Sequence, residues 1–332
     1  MTVSHPGIPV YPTDTDIPIP AQETWPETIH RFAADGLAAT ALRAAEACGR
    51  PLLIRGAPGV GKSQTARAAA AAGGRPFVSA VIDSRTQAHD LMWRLDAVRR
   101  LGDAQVLQPG QKLRPEAEYI EPQALWWAID WASARRQMAT YCVAADVDQA
   151  RQPSTPKGWN PETGRSPVLL LDEIDKADPD LPNALLEVLA NGGFRLPSAA
   201  AEVTASPGRH PLVVITTNEE RDLPQAFLRR CLILKLELPE TEAEFLTYMQ
   251  EMGERHQRFW AGRCEVLDRA AKRLWSQREE ARRRHEYRPG TAEFLDLAGA
   301  LANLWPGDEV EQARQIDRLE QFTFHKTLAA PR

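Results

Sequence analysis

The sequence predicts an α/β protein with an open, mostly parallel sheet, followed by a small helical domain. Five short apolar segments alternate with helical or turn-forming segments up to about residue 238, and only helical spacing follows. The apolar segments lack polar interruptions, as expected for strands buried on both faces of a parallel sheet. A chain of 332 residues with 43% hydrophobic residues has ample material for such a core.

The predicted strands are 51–55, 76–82, 168–171, 211–216 and 231–236, and helices are predicted near 29–47, 86–101, 122–140 and 181–190. Residues 1–25 contain five prolines and are predicted to be an extended arm without a regular element. The core is then 26–238 and the helical domain 239–332. Two Gly/Pro-containing segments, 102–119 (hairpin-like) and 192–210, are predicted inserts. Of the three tryptophans in the third helix, Trp126, Trp127 and Trp131, the last two are predicted to pack against the core because they lie four residues apart.

Composition and charge exclude several classes of protein. The net charge of -5 and the pI of about 5.9 argue against a protein that wraps duplex nucleic acid. The four cysteines have no zinc-ligand spacing and are predicted to be reduced thiols. No leader peptide and no apolar run of membrane-spanning length is present, so the sequence predicts a cytoplasmic protein.

The segment between the first strand and the next helix fits the phosphate-loop pattern GxxxxGK[S/T] without a mismatch. Its residues are Gly56, Ala57, Pro58, Gly59, Val60, Gly61, Lys62 and Ser63, and Gln64 continues into the helix. Glycines let successive backbone N–H groups converge on anionic oxygens, and the start of a helix favours negative charge. The pattern predicts that Lys62 binds the β- and γ-phosphates of ATP and that Ser63 is a ligand of Mg²⁺.

Polar side chains follow two later strands. A carboxylate at the end of a buried strand needs a cationic partner, and Mg²⁺ held by Ser63 would be that partner for Asp172. Glu173 is predicted to orient and polarise a water for attack on the γ-phosphorus. Asn218, which follows strand 211–216, is a candidate to hold the same water.

In this order, the phosphate loop, the strand before Asp172-Glu173, the strand before Asn218 and the segment LPQAFLRRC resemble the AAA+ ATPases, and most closely the MoxR group. The stretches DLMWRLDAVRRLGDAQ, YIEPQALWWA and DEIDKADPDLPNALLEVLANG are also similar to that group, and the resemblance covers most of residues 26–300. It implies an αβα core with a five-stranded parallel sheet, a C-terminal helical lid, and a ring, usually a hexamer, with ATP between subunits. It also implies that both inserts face the ring axis or a partner.

The resemblance further implies roles for individual residues. Asn218 would be sensor 1, and the arginine finger would be Arg230, with Arg229 as the alternative. Where the family has a sensor 2 arginine at the start of a lid helix, this sequence has Ala292 and Glu293, so Arg288 is assigned that role. The expected partner is a client protein, and a von Willebrand A partner would be a separate polypeptide because the chain lacks the DxSxS signature.

Three other functions stay open at this point. An ATP-gated switch of a signalling or defence system would have the same catalytic residues but slow turnover. A DNA-associated motor would bind DNA in a salt-dependent way, and a P-loop kinase would transfer phosphate to a small molecule rather than to water.

Overall fold

The computed structural model describes residues 8–22, 25–108, 110–145, 152–196, 202–255 and 265–324. They form two compact units: one comprises residues up to Glu27, Arg31–Arg55 and Ser63–Leu234, and the other comprises Thr28–His30, Gly56–Lys62 and the residues from Lys235 onward. The strands are β1 (Ile17–Ile19), β2 (Thr28–His30), β3 (Leu52–Arg55), β4 (Phe77–Val81), β5 (Trp93–Leu95), β6 (Ile120–Pro122), β7 (Val168–Asp172), β8 (Gly193–Arg195), β9 (Glu202–Thr204), β10 (Leu212–Thr217) and β11 (Leu232–Lys235). The helices are α1 (Leu37–Cys48), α2 (Lys62–Gly73), α3 (Ala97–Val106), α4 (Ala124–Ile129), α5 (Trp131–Ala145), α6 (Leu181–Asn191), α7 (Gln225–Leu228), α8 (Glu242–Arg255), α9 (Glu265–Arg284), α10 (Thr291–Leu304) and α11 (Glu309–Thr323).

The main sheet has five parallel strands in the order β11-β3-β10-β7-β4, which confirms the predicted fold class. Val214 of β10 pairs with Leu52 of β3, and Leu212 of β10 pairs with Val168 of β7. The carboxyl ends of β3, β7 and β10 therefore meet at one edge of the sheet, where ligands bind in open α/β folds.

The tryptophans of the third predicted helix lie in the core of the first unit. Trp127 is 3% exposed and Trp131 is 8% exposed, which confirms the prediction that they pack inward, and Trp126 is also 3% exposed. The rings of Trp127 and Trp131 meet edge to face at 5.0 Å. Such pairs add free energy beyond the buried area alone.

The second unit is built on the helices after β11. Apolar side chains of α8, α9, α10 and α11 meet in one cluster that includes Phe245, Leu274, Phe294 and Ile316, all fully buried. Val60 of the loop 56–62 joins this cluster. The helical spacing of the apolar residues predicted these helices because one face of each must be buried.

The N-terminal segment differs from the predicted arm, because it includes strand β1 and buries Tyr11, Ile17 and Ile19. It also surrounds Arg67 of α2, whose side chain is almost fully buried. Arg67 Nη2 donates to the carbonyls of Pro20 (3.1 Å) and Pro26 (2.9 Å), and its guanidinium lies 5.3 Å from the ring centre of Trp25. The cation supplies donors for carbonyls that the proline-rich backbone leaves without partners.

The first two predicted helices are wrong at their starts. The prediction 29–47 begins too early, because β2 occupies Thr28–His30 and a turn at Gly36 (φ 66°) delays α1 to Leu37. The prediction 86–101 is wrong over most of its length. A short 3-10 turn ends at Leu91, then β5 pairs antiparallel with β6, and only then does α3 begin.

The apolar spacing in that segment came from three different elements: the 3-10 turn, β5 and α3. Leu95 pairs with Ile120 across β5 and β6, and Asp96 caps α3 by accepting from the N–H of Arg99 at 3.0 Å. On α3, Val98 is 85% exposed and Leu101 is 62% exposed. The hairpin predicted at 102–119 is therefore displaced: α3 covers its start and the paired strands flank it.

Two further expectations are corrected in detail. The helix predicted at 122–140 is two helices, α4 and α5, which meet at Asp130 (φ -139°). The segment 192–210, predicted as a polar connection, contains the antiparallel pair β8 and β9.

Of the four cysteines, Cys48, Cys142 and Cys231 are free thiols, and Cys264 lies outside the described residues. Among the described helices, none has the length and apolar character needed to span a membrane.

Candidate active site

The loop after β3 has the backbone conformation that its glycines permit. Gly56, Gly59 and Gly61 have φ of 153°, 77° and 95°, values that residues with a side chain rarely adopt. Lys62 then begins α2 and is 7% exposed. Its Nζ donates to the carbonyls of Gly56 (2.8 Å) and Ala57 (2.9 Å), so the ammonium group is held against the loop that the sequence predicts to bind phosphates.

The surroundings of Gly56 leave no room for a side chain, in addition to its positive φ. A Cβ added there would lie 2.2 Å from the carbonyl oxygen of Leu236. We expect Gly56→Ala to lower the free energy of unfolding by about 2–4 kcal/mol, as the sum of backbone strain and overpacking. Urea unfolding without nucleotide measures this cost.

Gly61→Ala is the matched control for this prediction. Gly61 also has positive φ, but a Cβ there would have no atom within 4 Å, so only about 1 kcal/mol of strain is expected. Equal costs for the two variants would contradict the close approach at Gly56.

At the end of β7, a carboxylate and two hydroxyls meet. Ser63 Oγ lies 2.9 Å from each carboxylate oxygen of Asp172 and donates to that group. Thr216 Oγ1, from the neighbouring strand β10, also donates to Asp172 Oδ1. Since β7 and β10 are adjacent and parallel, their last residues are brought side by side.

Glu173 has a strained backbone next to this cluster. Its φ is 64°, an uncommon conformation for a residue with a long side chain. Its N–H donates to Thr216 Oγ1 at 3.0 Å, and its carboxylate accepts from Lys176 Nζ at 2.7 Å. The hydrogen bond to Glu173 raises the pKa of Lys176. The backbone of Glu173 is thus tied to Thr216, which also binds Asp172, and its carboxylate is held by Lys176.

Asn218 follows β10 and is held through its backbone. Its N–H donates to Asp175 Oδ2 at 3.2 Å, and the N–H of Glu220 donates to the same oxygen at 3.0 Å. Asp175 is 2% exposed, and it fixes the turn that carries Asn218. Asp175 was not predicted as a site residue, although it lies only two residues after Glu173.

Arg229 and Arg230 lie just before β11, at the amino ends of the parallel strands. We call this side of the sheet the amino edge. Both side chains are exposed, and within the described part of the chain neither guanidinium has an ion pair. Their carbonyls accept hydrogen bonds from Arg50, which precedes β3: Arg50 Nε donates to Arg230 at 3.1 Å, and Nη2 donates to Arg229. Two exposed cations are therefore fixed by their backbone at the amino edge, away from Ser63 and Asp172.

Within the second unit, the start of α10 approaches the loop 56–62. A Cβ added at Gly59 would lie 3.0 Å from the Cβ of Ala292, so Ala292 lies directly against this loop. Arg288 precedes this turn and is half-buried. Arg278 of α9 is nearby, and burial together with the charge of Arg288 lowers its pKa to about 10.

Of the predicted site residues, Ser63, Asp172 and Glu173 are brought together around Thr216, which was not predicted as a site residue. The turn of Asn218 begins where β10 ends. The hydroxyl of Ser63 and the carboxylate of Asp172 are oxygen donors, which Mg²⁺ prefers, and one carboxylate beside phosphate oxygens is a common magnesium site. The residues present therefore fit Mg²⁺ with a nucleotide, and Arg229 and Arg230 do not belong to the same cluster.

Comparisons with known proteins give matches among solved structures and to one sequence family. A protein from Cytophaga hutchinsonii, described as a candidate ATPase, is 12% identical, with a TM-score of 0.38 over 86% of this chain and 79% of that one. The FIGL-1 AAA domain in complex with ADP is 15% identical, with a TM-score of 0.40 over 84% of this chain and 74% of that one. No curated protein matched the sequence. The sequence profile of the AAA domain, dynein-related subfamily, matches residues 51–231, more than half of the chain. With its phosphate loop, its carboxylate pair and its parallel sheet, this chain belongs to the AAA domain family.

Proposed function

We propose that this protein hydrolyses Mg-ATP in a ring of identical subunits and uses the energy to remodel or activate a partner protein, as a member of the MoxR group. The observation that carries the hydrolytic part is the cluster of Ser63, Asp172 and Thr216 with Glu173 beside it. Membership in the AAA family supports nucleotide binding in general. The quoted stretches that resemble the MoxR group support the subgroup.

Binding is assigned to the phosphate loop and the end of β7. In this proposal the backbone N–H groups of Gly56–Ser63 and Gln64 surround the phosphates, and Lys62 Nζ leaves the loop carbonyls for the β- and γ-phosphate oxygens. Ser63 and Asp172 would hold Mg²⁺, which neutralises the charge of the phosphates when bound. Arg288 adds a cation from the turn before α10.

Turnover is assigned to Glu173 and Asn218. The carboxylate of Glu173 accepts a hydrogen bond from the attacking water and orients it toward the γ-phosphorus, and the amide of Asn218 holds the same water. Thr216 keeps the backbone of Glu173 in its strained turn, and Lys176 holds the carboxylate of Glu173 through an ion pair. These are positioning roles, and Glu173 is the residue that polarises the water.

The finger is assigned to a neighbouring subunit. Arg230 precedes β11 and is fixed to Arg50 before β3, whereas Ser63 and Asp172 lie past the other end of the strands. The four residues of β3 alone span roughly 13 Å. This separation supports a finger that serves the site of a neighbouring subunit, so that the ring would complete each site. A finger supplied in trans contributes about 10³- to 10⁵-fold to turnover.

Mixing two inactive variants tests this arrangement. Arg230→Ala and Glu173→Gln are each expected to lose turnover. In an equal random mixture, about a quarter of the head-to-tail interfaces pair an intact Glu173 with an intact finger, and these should recover activity. Phosphate release with Mg-ATP is the measurement.

Arg229→Ala is the matched variant, because it changes the adjacent exposed arginine. Arg229→Ala should retain most activity if Arg230 is the finger. If Arg229 is the finger instead, Arg229→Ala should lose turnover and Arg230→Ala should retain it. A mixture as inactive as its components, or full activity in a strictly monomeric sample, would contradict a finger in trans.

A protein partner is favoured over nucleic acid by charge and by one exposed helix. The net charge is -5, and α3 exposes apolar side chains of the kind that meet other proteins. We expect a partner protein, in the MoxR group a separate von Willebrand A polypeptide, to change the rate of ATP turnover. Duplex DNA tested at low salt should leave that rate unchanged, and stimulation by DNA would contradict this part of the proposal.

A further inference from the structure

A cavity of about 370 Å³ lies at the amino edge of the main sheet, on the side away from Ser63 and Asp172. It opens where β3, β7 and β10 begin, and its wall includes residues that immediately precede each of these strands. The charged and titratable residues of its lining are Arg50, Arg75, Arg165, Arg209, His210 and Glu46. Nothing in the proposed ATP hydrolysis uses this cavity.

The lining carries a surplus of positive charge. Glu46 is its one carboxylate, and it forms an ion pair with Arg75, in which the two side chains are 12% and 3% exposed. These two charges cancel. Arg50, Arg165 and Arg209 then remain without a carboxylate in the lining. A cleft lined by charges of one sign concentrates the electrostatic potential and attracts ions of the opposite sign.

Two of these arginines are fixed in place by carbonyl groups rather than by acids. Arg209 Nη2 donates to the carbonyls of Pro161 (2.8 Å) and Gly164 (2.5 Å), and Arg50 donates to the carbonyls before β11. Carbonyl partners orient a guanidinium but leave its charge uncompensated. A guanidinium also has five N–H donors, so these bonds leave donors for a ligand.

The remaining two groups are available without any rearrangement. Arg165 and His210 are exposed, and their side chains have no hydrogen bond or ion pair among the described residues. Together with the fixed guanidinium groups they present donors from three segments of the chain to one space. Guanidinium forks match the spacing of phosphate oxygens and bind them by paired, charge-assisted hydrogen bonds.

We propose that this cavity binds a small molecule that bears phosphate groups, at a site separate from the phosphate loop. The surplus of three arginines favours a ligand with at least two negative charges. The cavity volume is sufficient for a diphosphate or a mononucleotide but not for a polymer.

The test uses the full chain with Lys62→Ala, because that change removes the phosphate loop as the main competing site. Isothermal titration with pyrophosphate should detect one site per chain, with an affinity that falls as salt is raised. Adding Arg165→Glu and His210→Ala should weaken binding by about 10- to 100-fold, because charge-assisted contacts are lost. A parallel titration with AMP shows whether a nucleoside adds affinity to the phosphate.

Arg135→Glu in the same Lys62→Ala background is the matched control, because it reverses the charge of an exposed arginine on α5 that is not part of the cavity. It should leave the affinity for pyrophosphate within about twofold. Since the side chains of Arg165 and His210 are exposed, all variants should melt at the same temperature without ligand. No binding by the folded Lys62→Ala protein, or equal binding after Arg165→Glu with His210→Ala, would overturn the proposal.

Discussion

Lys62→Ala should lower the affinity for ATP by at least about 100-fold, because an ammonium group that meets phosphate oxygens is replaced by a methyl group. In the absence of nucleotide the protein should remain folded. Lys62 Nζ donates to the carbonyls of Gly56 and Ala57, which belong to its own loop. The change removes a buried cation and these two hydrogen bonds together.

Thermal unfolding separates these two effects. ATP at about 100 times its Kd stabilises the folded wild-type protein by about 2.7 kcal/mol, which raises Tm by several degrees, and the variant should show no such rise. Lys272→Ala, at an exposed position of α9, is the control and should keep the full ATP-dependent shift. An unchanged shift in Lys62→Ala would remove the phosphate loop from the proposed mechanism.

Glu173→Gln should preserve ATP binding and lower kcat by about 10²- to 10⁴-fold, because the amide does not polarise the attacking water as a carboxylate does. Its N–H bond to Thr216 involves only the backbone, so the local turn is retained. Single-turnover phosphate release, with nucleotide binding measured on the same sample, distinguishes lost chemistry from lost binding.

Glu187→Gln makes the same chemical change on an exposed face of α6 and should leave kcat unchanged. If Glu173→Gln turned over ATP at the wild-type rate, Glu173 would not be the residue that orients the water. If it lost binding instead, its carboxylate would belong to the binding site.

The parts of the fold that local sequence determines were predicted well. All five strands of the main sheet were predicted within one residue at each end, because apolar runs buried on both faces have no competing pattern. The phosphate-loop motif was recognised in the same way, since its whole pattern lies within eight consecutive residues.

Errors arose where a distant segment decides the structure. The segment 86–101 has helical spacing, but Leu95 pairs with Ile120 in a strand, and that partner is not visible locally. Thr216 was missed because its hydroxyl matters only beside Asp172 on the neighbouring strand. Arg50 was missed because its partners, the carbonyls of Arg229 and Arg230, lie about 180 residues away. No periodicity or motif encodes such contacts.

The contact between the N-terminal segment and Arg67 has an evolutionary consequence. Three separate positions, Pro20, Trp25 and Pro26, provide the surroundings of one buried cation on α2. Losing the segment leaves that cation poorly solvated, and losing the arginine removes a donor from the two carbonyls. Related sequences that keep Arg67 should therefore keep this segment with an aromatic residue at the position of Trp25, and a relative that lacks the N-terminal segment should have an apolar residue where this chain has Arg67.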